Sequence, residues 1–161
     1  MPPRQLDPPT GRQGLTLAIR LALRDLGAQL ALLNLRVGDK LELRAGDLQC
    51  LNLVERLGPV SPASLARRTS IHPATLTGII DRLERGGWVT RDRDPADRRG
   101  VVIRVLRDRR AEVSRHYAGM QGRLTDICAG LDEKELAAVA SFLRSAVEAG
   151  RDATDELDGD R

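Results

Sequence analysis

The chain has 161 residues with a formal net charge of +3, and 41% of its residues are hydrophobic. This length suits one compact domain or two lobes with a shared core, and the apolar fraction is too high for a disordered chain. Arg20, Arg24 and Asp25 interrupt the N-terminal apolar region, which excludes a membrane span of about 18 uninterrupted apolar residues. The N-terminus also lacks the apolar core of a signal peptide, so we expect a cytoplasmic protein.

The chain offers little material for catalysis or metal binding. Its histidines are His72 and His116, its cysteines are Cys50 and Cys128, and neither a Cys-x-x-Cys nor a His-Glu-x-x-His pattern is present. Glycine-rich phosphate loops and the Gly-x-Ser-x-Gly nucleophile pattern are also missing. We therefore expect no cofactor and no metal, and no group of residues supports an enzyme.

Positive charge is concentrated in the middle of the chain. Residues 61–115 contain 13 arginines and 7 acidic residues, a net charge of +6, whereas residues 145–161 have a net charge of −4. A basic segment of this kind is typical of a surface that meets phosphates, and arginine binds phosphates and guanine edges through planar, bidentate contacts. A GC-rich genome would also favour arginine over lysine, but that bias does not explain the clustering.

The N-terminal part consists of an arm and two helices. Four prolines within residues 1–11 predict a disordered or extended arm. Over residues 12–37 apolar residues recur every three or four positions and cover most of the helix circumference, so this helix needs several neighbours, and another subunit is one candidate. A second helix is predicted from Gly46 to Leu57, where Gly58-Pro59 ends it.

Two short helices follow at the spacing of a helix-turn-helix. Ser61-Pro62 predicts a helix start with a serine N-cap, and this helix ends near Thr69. After the turn of residues 70–73, the next helix has an apolar stripe at i, i+3, i+4 and i+7, formed by Leu76, Ile79, Ile80 and Leu83. Its opposite face carries Thr75, Thr77, Gly78 and Arg82. Gly86-Gly87 ends this helix.

A β-hairpin with a long charged loop comes next. Residues 88–91 and 101–105 predict its two strands, with Trp88 packed at the base. The loop Asp94-Pro95-Ala96-Asp97-Arg98-Arg99-Gly100 is too long and too charged for a minimal turn, so we expect it to project into solvent. A short amphipathic helix directly before a cationic hairpin is the order of parts in a winged helix, which indicates a binder of duplex DNA.

Two helices complete the chain. Over residues 109–129 the apolar residues form a heptad-like seam suited to packing against other long helices: Val113, Tyr117, Met120, Leu124, Ile127 and Leu131. A last helix is predicted over residues 132–149, and we expect the acidic end after it to fray. Cys50 shares a helix face with Val54 and is predicted to lie in the core, whereas Cys128 lies beside the seam.

Three of these segments resemble the MarR family of transcriptional regulators. Ser61–Arg68 is similar to the first helix of the family's helix-turn-helix, and His72–Glu84 is similar to its recognition helix. Arg91–Arg99, with the sequence RDRDPADRR, resembles the family's wing signature and is the most specific part of the match. Two positions depart from the pattern. His72 replaces the usual Ser or Thr, and the family's cap of the long helix is missing, with Asp108 as the expected substitute.

The resemblance implies a mainly α fold with a small β-hairpin wing, in which a winged helix-turn-helix is flanked by N- and C-terminal helices that form a dimerisation lobe. It implies a homodimer that binds a pseudo-palindromic operator in double-stranded DNA, with no membrane partner. In many members a small phenolic or lipophilic effector releases the DNA. On this scheme residues 1–11 are the arm, 12–45 and 107–150 are dimerisation helices, 46–106 are the DNA-binding domain, and 151–161 are an acidic flexible tail.

The expected DNA contacts follow from these placements. The recognition helix would use its outward residues, namely Pro73, Ala74, Thr75, Thr77, Gly78 and Arg82. On the wing, we expect Arg98 and Arg99 to reach the minor groove or its phosphates, and Asp97 to pair with a neighbouring arginine and hold the loop. Further candidates for phosphate contacts are Ser61, Arg91 and Arg93. Small side chains on the recognition helix offer few bidentate contacts, so discrimination would depend on thymine methyl groups and DNA shape.

Three functional interpretations remain at this stage. The first is a homodimeric repressor that responds to an effector. The second is an architectural or protein-interacting winged helix without an effector response. The third is a regulator that senses oxidation through cysteine, although this chain has no cysteine near the start of its first helix, where redox-sensing members of the family usually carry theirs. A steep salt dependence combined with preference for an operator over random DNA would favour the first interpretation.

Overall fold

The computed structural model describes residues 10–69, 71–95 and 100–159, with only the backbone described for residues 158 and 159. Within these residues the elements are α1 (Gly11–Leu41), α2 (Ala45–Leu57), α3 (Pro62–Thr69), α4 (Pro73–Arg85), β1 (Val89–Arg93), β2 (Val101–Val105), α5 (Arg107–Ala129) and α6 (Glu133–Gly159). Helices dominate and one hairpin follows α4, which confirms the predicted mainly α fold with a β-hairpin wing. None of the helices in this described part combines the length and hydropathy that a membrane span requires.

The chain separates into two compact units, one that ends at Ala45 and one that begins at Gly46. Helix α1 accounts for most of the first unit and ends at Leu41 rather than at residue 37. It ends there because Glu42 takes a left-handed backbone conformation with φ 55°, and the N–H groups of Glu42 and Leu43 return to carbonyls of the last turn. Most of its leucine-rich surface is exposed, including Leu15, Leu17, Ile19, Leu21, Leu26, Leu30, Leu32 and Leu35.

The core of the second unit lies among α2, α3, α4 and the hairpin. Side chains with less than 2% exposure come from all of these elements: Leu48, Cys50, Leu51, Val54, Leu65, Ile80, Leu83, Val89 and Ile103. Helix α3 begins as predicted, because the Ser61 Oγ accepts a hydrogen bond from the Ser64 N–H at 3.2 Å. The winged helix is thus the best-packed part of the described chain.

The hairpin strands pair in antiparallel register, with Val89 opposite Val105. A short third segment joins them, since Val60 and Ile103 exchange two backbone hydrogen bonds of 3.1 and 2.8 Å. This bridge ties the start of α3 to the strand that follows the wing. The hairpin is therefore fixed at its base.

The turn between α4 and β1 needs glycine at two successive positions. Gly87 has φ 66°, a conformation that other residues rarely adopt, and a Cβ on Gly86 would lie 2.8 Å from the Trp88 ring. The helix ends here, as predicted. Trp88 is only 7% exposed, and the Arg109 guanidinium stacks 4.5 Å from the centre of its ring. The predicted packing of Trp88 at the hairpin base is confirmed.

Helix α5 begins earlier than predicted and without a side-chain cap. Its N-cap residue is Leu106, so the prediction that Asp108 substitutes for the family cap is wrong. Asp108 instead lies inside the first turn, where its negative charge interacts favourably with the positive end of the helix dipole. An Arg110–Glu55 ion pair of 3.5 Å connects α5 to α2. Further along α5, the heptad-like seam becomes exposed, with Ile127 at 65%.

Helix α6 starts with a reciprocal capping box. The Asp132 N–H donates to Glu135 and the Glu135 N–H donates to Asp132, both at 2.8 Å. The helix then continues through Gly159, so the predicted end at residue 149 is wrong. The acidic composition of the end costs only a few tenths of a kcal/mol per residue near the helix C-terminus, and the segment contains no proline and several strong helix formers.

Candidate nucleic-acid interface

The outward face of α4 consists of small side chains, and the packing of the opposite face fixes the orientation of the helix. The buried stripe of Leu76, Ile79, Ile80 and Leu83 is at most 4% exposed, which confirms the pattern predicted for this helix. On the other side Pro73, Ala74, Thr75 and Thr77 are exposed, and Gly78 is half-buried. Because four buried residues fix the rotation of the helix about its axis, the same small residues always face solvent.

Two local hydrogen bonds determine which polar atoms the start of α4 can offer to a ligand. The His72 Nδ1 accepts from the Ala74 N–H at 3.3 Å, so histidine performs the N-cap role of the serine or threonine it replaces. The Thr77 hydroxyl donates to the Pro73 carbonyl at 2.9 Å. With its proton committed to the helix, Thr77 offers a ligand an acceptor oxygen and a methyl group.

Arg82 is held at the back of this face by a carboxylate from α2. Its Nε and Nη2 donate to Asp47 at 3.0 and 2.6 Å, a bidentate pair in which Asp47 is only 4% exposed. This hydrogen bonding raises the pKa of the Arg82 guanidinium above its ordinary value. The remaining Nη1 lies 3.6 Å from the point where a Cβ on Gly78 would sit. Arg82 therefore joins α4 to α2 with two of its nitrogens.

Arg91 joins the wing to the recognition helix. Its guanidinium, on β1, donates to carboxylates of both Asp81 and Glu84 on α4. These two contacts raise the pKa of Arg91, the hydrogen bond to Asp81 most strongly. The predicted phosphate ligand is thus committed to carboxylates of its own chain, and the hairpin is pinned at a fixed angle to α4.

The wing tip lies partly outside the described residues. The predicted contacts Asp97, Arg98 and Arg99 belong to that undescribed segment. On its N-terminal side Arg93 is exposed at the end of β1. The Asp94 N–H donates to the Gly100 carbonyl at 3.0 Å, which closes the base of the loop. Among the described residues of the hairpin, Arg93 is thus an exposed cation beside the base of the loop.

The structure adds one surface cation that the sequence interpretation missed. Arg85 is exposed on α4, and its Nε donates to the Asp81 carbonyl at 3.2 Å. The helical period could have found it, because Ala74, Gly78, Asp81 and Arg85 follow one another at i, i+4, i+7 and i+11. The Ser61 hydroxyl accepts from the Ser64 N–H, so its own proton remains available to an anion at the start of α3.

The two cysteines differ in environment. Cys50 is 1% exposed, which confirms its predicted core position, and burial raises the pKa of its thiol to about 11, with a smaller contribution from Asp47. Oxidation proceeds through the thiolate, so this environment makes Cys50 unreactive. Cys128 is exposed on α5. Among the described residues no three His, Cys, Asp or Glu side chains are arranged to share a metal ion.

Comparisons with known proteins agree on one family. Residues 43–101 match the model of the MarR family. The chain is 30% identical over 125 residues to the uncharacterised HTH-type transcriptional regulator YcgE of Bacillus subtilis, covering 78% of this chain and 81% of YcgE.

Two solved structures share the fold. A MarR family protein from Bacillus stearothermophilus superimposes with a TM-score of 0.64 at 19% identity, covering 87% of this chain and 98% of that one. Streptococcus pneumoniae FabT in complex with DNA superimposes with a TM-score of 0.62 at 18% identity, covering 86% of this chain and 99% of FabT. The helix-turn-helix, the hairpin and these similarities identify the chain as a DNA-binding, winged-helix transcriptional regulator of the MarR family.

Proposed function

We propose that the protein is a homodimeric repressor of a pseudo-palindromic operator, released from DNA by a small-molecule effector. The observation that carries the DNA-binding part is the outward face of α4, where small residues face solvent and a cationic hairpin is pinned beside them. A helix with such a face can approach base edges closely in the major groove. The effector response rests on the resemblance to the family.

We assign the DNA contacts according to the hydrogen-bonding groups that each side chain does not already use within the protein. Base edges would meet the face of α4, formed by Pro73, Ala74, Thr75, Thr77 and Gly78. Arg93 is exposed and suited to a phosphate, as is the Ser61 hydroxyl. Arg98 and Arg99 would enter the minor groove, with Asp97 holding the loop. Arg82 and Arg91 act mainly as positioning residues, because their guanidiniums already bind carboxylates.

The dimeric part rests on uncovered apolar surface. One face of α6 carries Val139, Leu143, Val147 and Leu157, which are between 42% and 73% exposed. Leu143 and Val147 are among the residues that line an open groove of about 430 Å³ along this helix. Continuous apolar stripes of this kind are rare on monomers and typical of interfaces. A second copy of the chain is the occupant we propose, with α1 and α5 contributing their exposed leucines and isoleucines.

DNA binding and dimerisation would then belong to different segments of the chain. Residues 46–106 would bind DNA, and residues 12–45 and 107–150 would form the dimer. The site of action would be the cytoplasm, where the operator is accessible.

The decisive experiment measures binding to DNA from just upstream of the protein's own gene, across a salt series, with random duplex of equal length for comparison. We expect tight, salt-sensitive binding to the upstream fragment alone. Arg93→Gln should reduce the slope of log affinity against log salt by about 1.8, because each of two protomers loses one phosphate contact worth about 0.9. Arg123→Gln, an exposed α5 arginine, is the matched control and should leave the slope unchanged. Equal binding to both duplexes would contradict the operator model and favour an architectural role.

Gly78→Ala should separate stability from DNA binding. The new Cβ would have Arg82 Nη1 at 3.6 Å as its nearest neighbour, an ordinary contact, so the fold accommodates it. Alanine should raise the free energy of unfolding by about 0.5–1 kcal/mol, because glycine is a poor helix former. The methyl group would stand between α4 and the base edges, and we expect operator affinity to fall about tenfold.

The control is Gly122→Ala on α5, where none of the described residues outside the helix's own backbone lies within 4 Å of the new Cβ. It should give a similar gain in stability, measured by denaturant unfolding, without a change in operator affinity. Unchanged affinity in Gly78→Ala would remove this glycine from the groove-facing surface.

A further inference from the structure

Four arginines line a surface cavity to which α4 contributes no residue, although Arg67 also lines a neighbouring groove with Pro73 and Thr77 of α4. The cavity has a volume of about 170 Å³ and is lined by Arg56 of α2, Arg67 and Arg68 of α3, and Arg151 and Asp155 of α6. These lining residues carry a net charge of +3. Arginines in the last turns of α2 and α3 interact favourably with the negative ends of the helix dipoles. Arg151 lies two turns before the end of α6, so this interaction does not explain its position.

Among the described side chains, Asp155 offsets one of the four positive charges of this cavity, and the other three are left over. Elsewhere in the same unit Arg82, Arg91, Arg104, Arg109 and Arg110 each lie within 4.0 Å of a carboxylate. No ion pair of that length joins a described carboxylate to any of the four cavity arginines, and Asp155 is unpaired with them as well. The four guanidiniums are exposed, so water screens their mutual repulsion, and an anion between them would lower it further.

We propose that this cavity binds a small ligand through a phosphate group, either inorganic phosphate or a phosphate monoester. Four planar guanidiniums suit the several acceptor oxygens of a phosphate, which they can bind in bidentate fashion. The volume is below the roughly 300 Å³ at which drug-sized ligand pockets begin, so the ligand fills the cavity with a compact charged group. The polar lining also differs from a site for a phenolic or lipophilic effector.

The location gives the site a link to the DNA-binding domain. Arg67 and Arg68 belong to the first helix of the helix-turn-helix, whereas Arg151 and Asp155 belong to α6. A bound phosphate would bridge these elements. Binding itself requires neither DNA nor the proposed repressor function, so it can be tested separately from both.

The test is isothermal titration of the full-length protein with sodium phosphate and with pyrophosphate, in phosphate-free buffer and without DNA. Sodium chloride at equal ionic strength is the blank. We expect saturable binding of phosphate that Arg56→Gln and Arg151→Gln each weaken at least about tenfold, since a charge-assisted hydrogen bond is lost. Asp155→Asn should tighten binding, because it removes the one negative charge. The matched control Arg123→Gln should change nothing.

Two results would overturn the proposal. One is a phosphate response no larger than that of chloride, or one that Arg123→Gln reduces as much as Arg151→Gln. The other comes from DNA titrations in phosphate-free buffer, where Arg56→Gln, which lies outside the α6 groove proposed for the dimer, should keep the operator affinity of the native protein. A large loss there would assign these arginines to the DNA backbone instead of a small ligand. Circular dichroism of each variant verifies that the helices are intact.

Discussion

Replacing Leu143 and Val147 together by glutamate should convert the protein to a monomer and lower operator affinity at least about 100-fold. Both side chains lie on the uncovered apolar face of α6, at 42% and 51% exposure. In a dimer they would be buried, and two carboxylates per protomer would then lose their hydration without partners. A monomer binds one half-site and loses the gain in affinity that comes from two linked sites.

The matched control is the double variant Ser141→Glu and Ser145→Glu. These residues are exposed on the opposite face of the same helix, so the variant adds the same charge without touching the apolar stripe. Size-exclusion chromatography with light scattering reports the mass, and operator titration reports affinity. A dimer that persists in the Leu143/Val147 variant would contradict the proposed interface, and so would an equal loss in the serine variant.

The second large effect is expected at the Asp47–Arg82 pair. Arg82→Gln leaves the buried carboxylate of Asp47, whose side chain is 6% exposed, without its bidentate partner. We expect the melting temperature to fall by roughly 5 °C or more, because a buried charge is left without its hydrogen bonds. Asp47→Asn should be milder, since the Arg82 side chain is 34% exposed and water can solvate it. The double variant should be less destabilised than the sum of both changes.

The same cycle tests what Arg82 does on DNA. If Arg82 positions α4, Asp47→Asn should not improve operator affinity under conditions where the variant is fully folded. An affinity that rises in Asp47→Asn and falls again in the double variant would mean that the freed guanidinium binds phosphate, and the positioning role would be wrong. Thermal unfolding and operator titration on the four proteins of the cycle supply both readouts.

The elements that the sequence predicted well are those with local signals. The stripe of α4, the serine cap of α3 and the two glycines after α4 depend on residues within one or two helical turns. Each was therefore visible from spacing alone. The end of α1, the start of α5 and the end of α6 were predicted less well. Helix boundaries depend on small energies, such as the left-handed turn at Glu42, that composition does not reveal.

Some properties of the candidate site likewise follow from local sequence, and others depend on tertiary packing. Which residues face outward on α4 follows from the periodicity of its buried neighbours. What each arginine binds does not, because the partners are far apart in sequence. Asp47 and Arg82 are 35 residues apart, and Arg91 lies ten residues from Asp81. A sequence shows that a guanidinium is present, but only the packed structure shows whether a carboxylate has already engaged it.

The sequence by itself determined the winged helix, its family and the face of α4, since periodic burial, capping and glycine turns are local properties of the chain. The tertiary structure decided that Arg82 and Arg91 bind carboxylates that fix α4 against α2 and the hairpin. It also decided that Cys50 is buried with a raised thiol pKa, and that one cavity is lined by Arg56, Arg67, Arg68 and Arg151. These properties depend on distances between helices. Such distances arise only when the core packs and brings charges from separate elements within a few ångströms of each other.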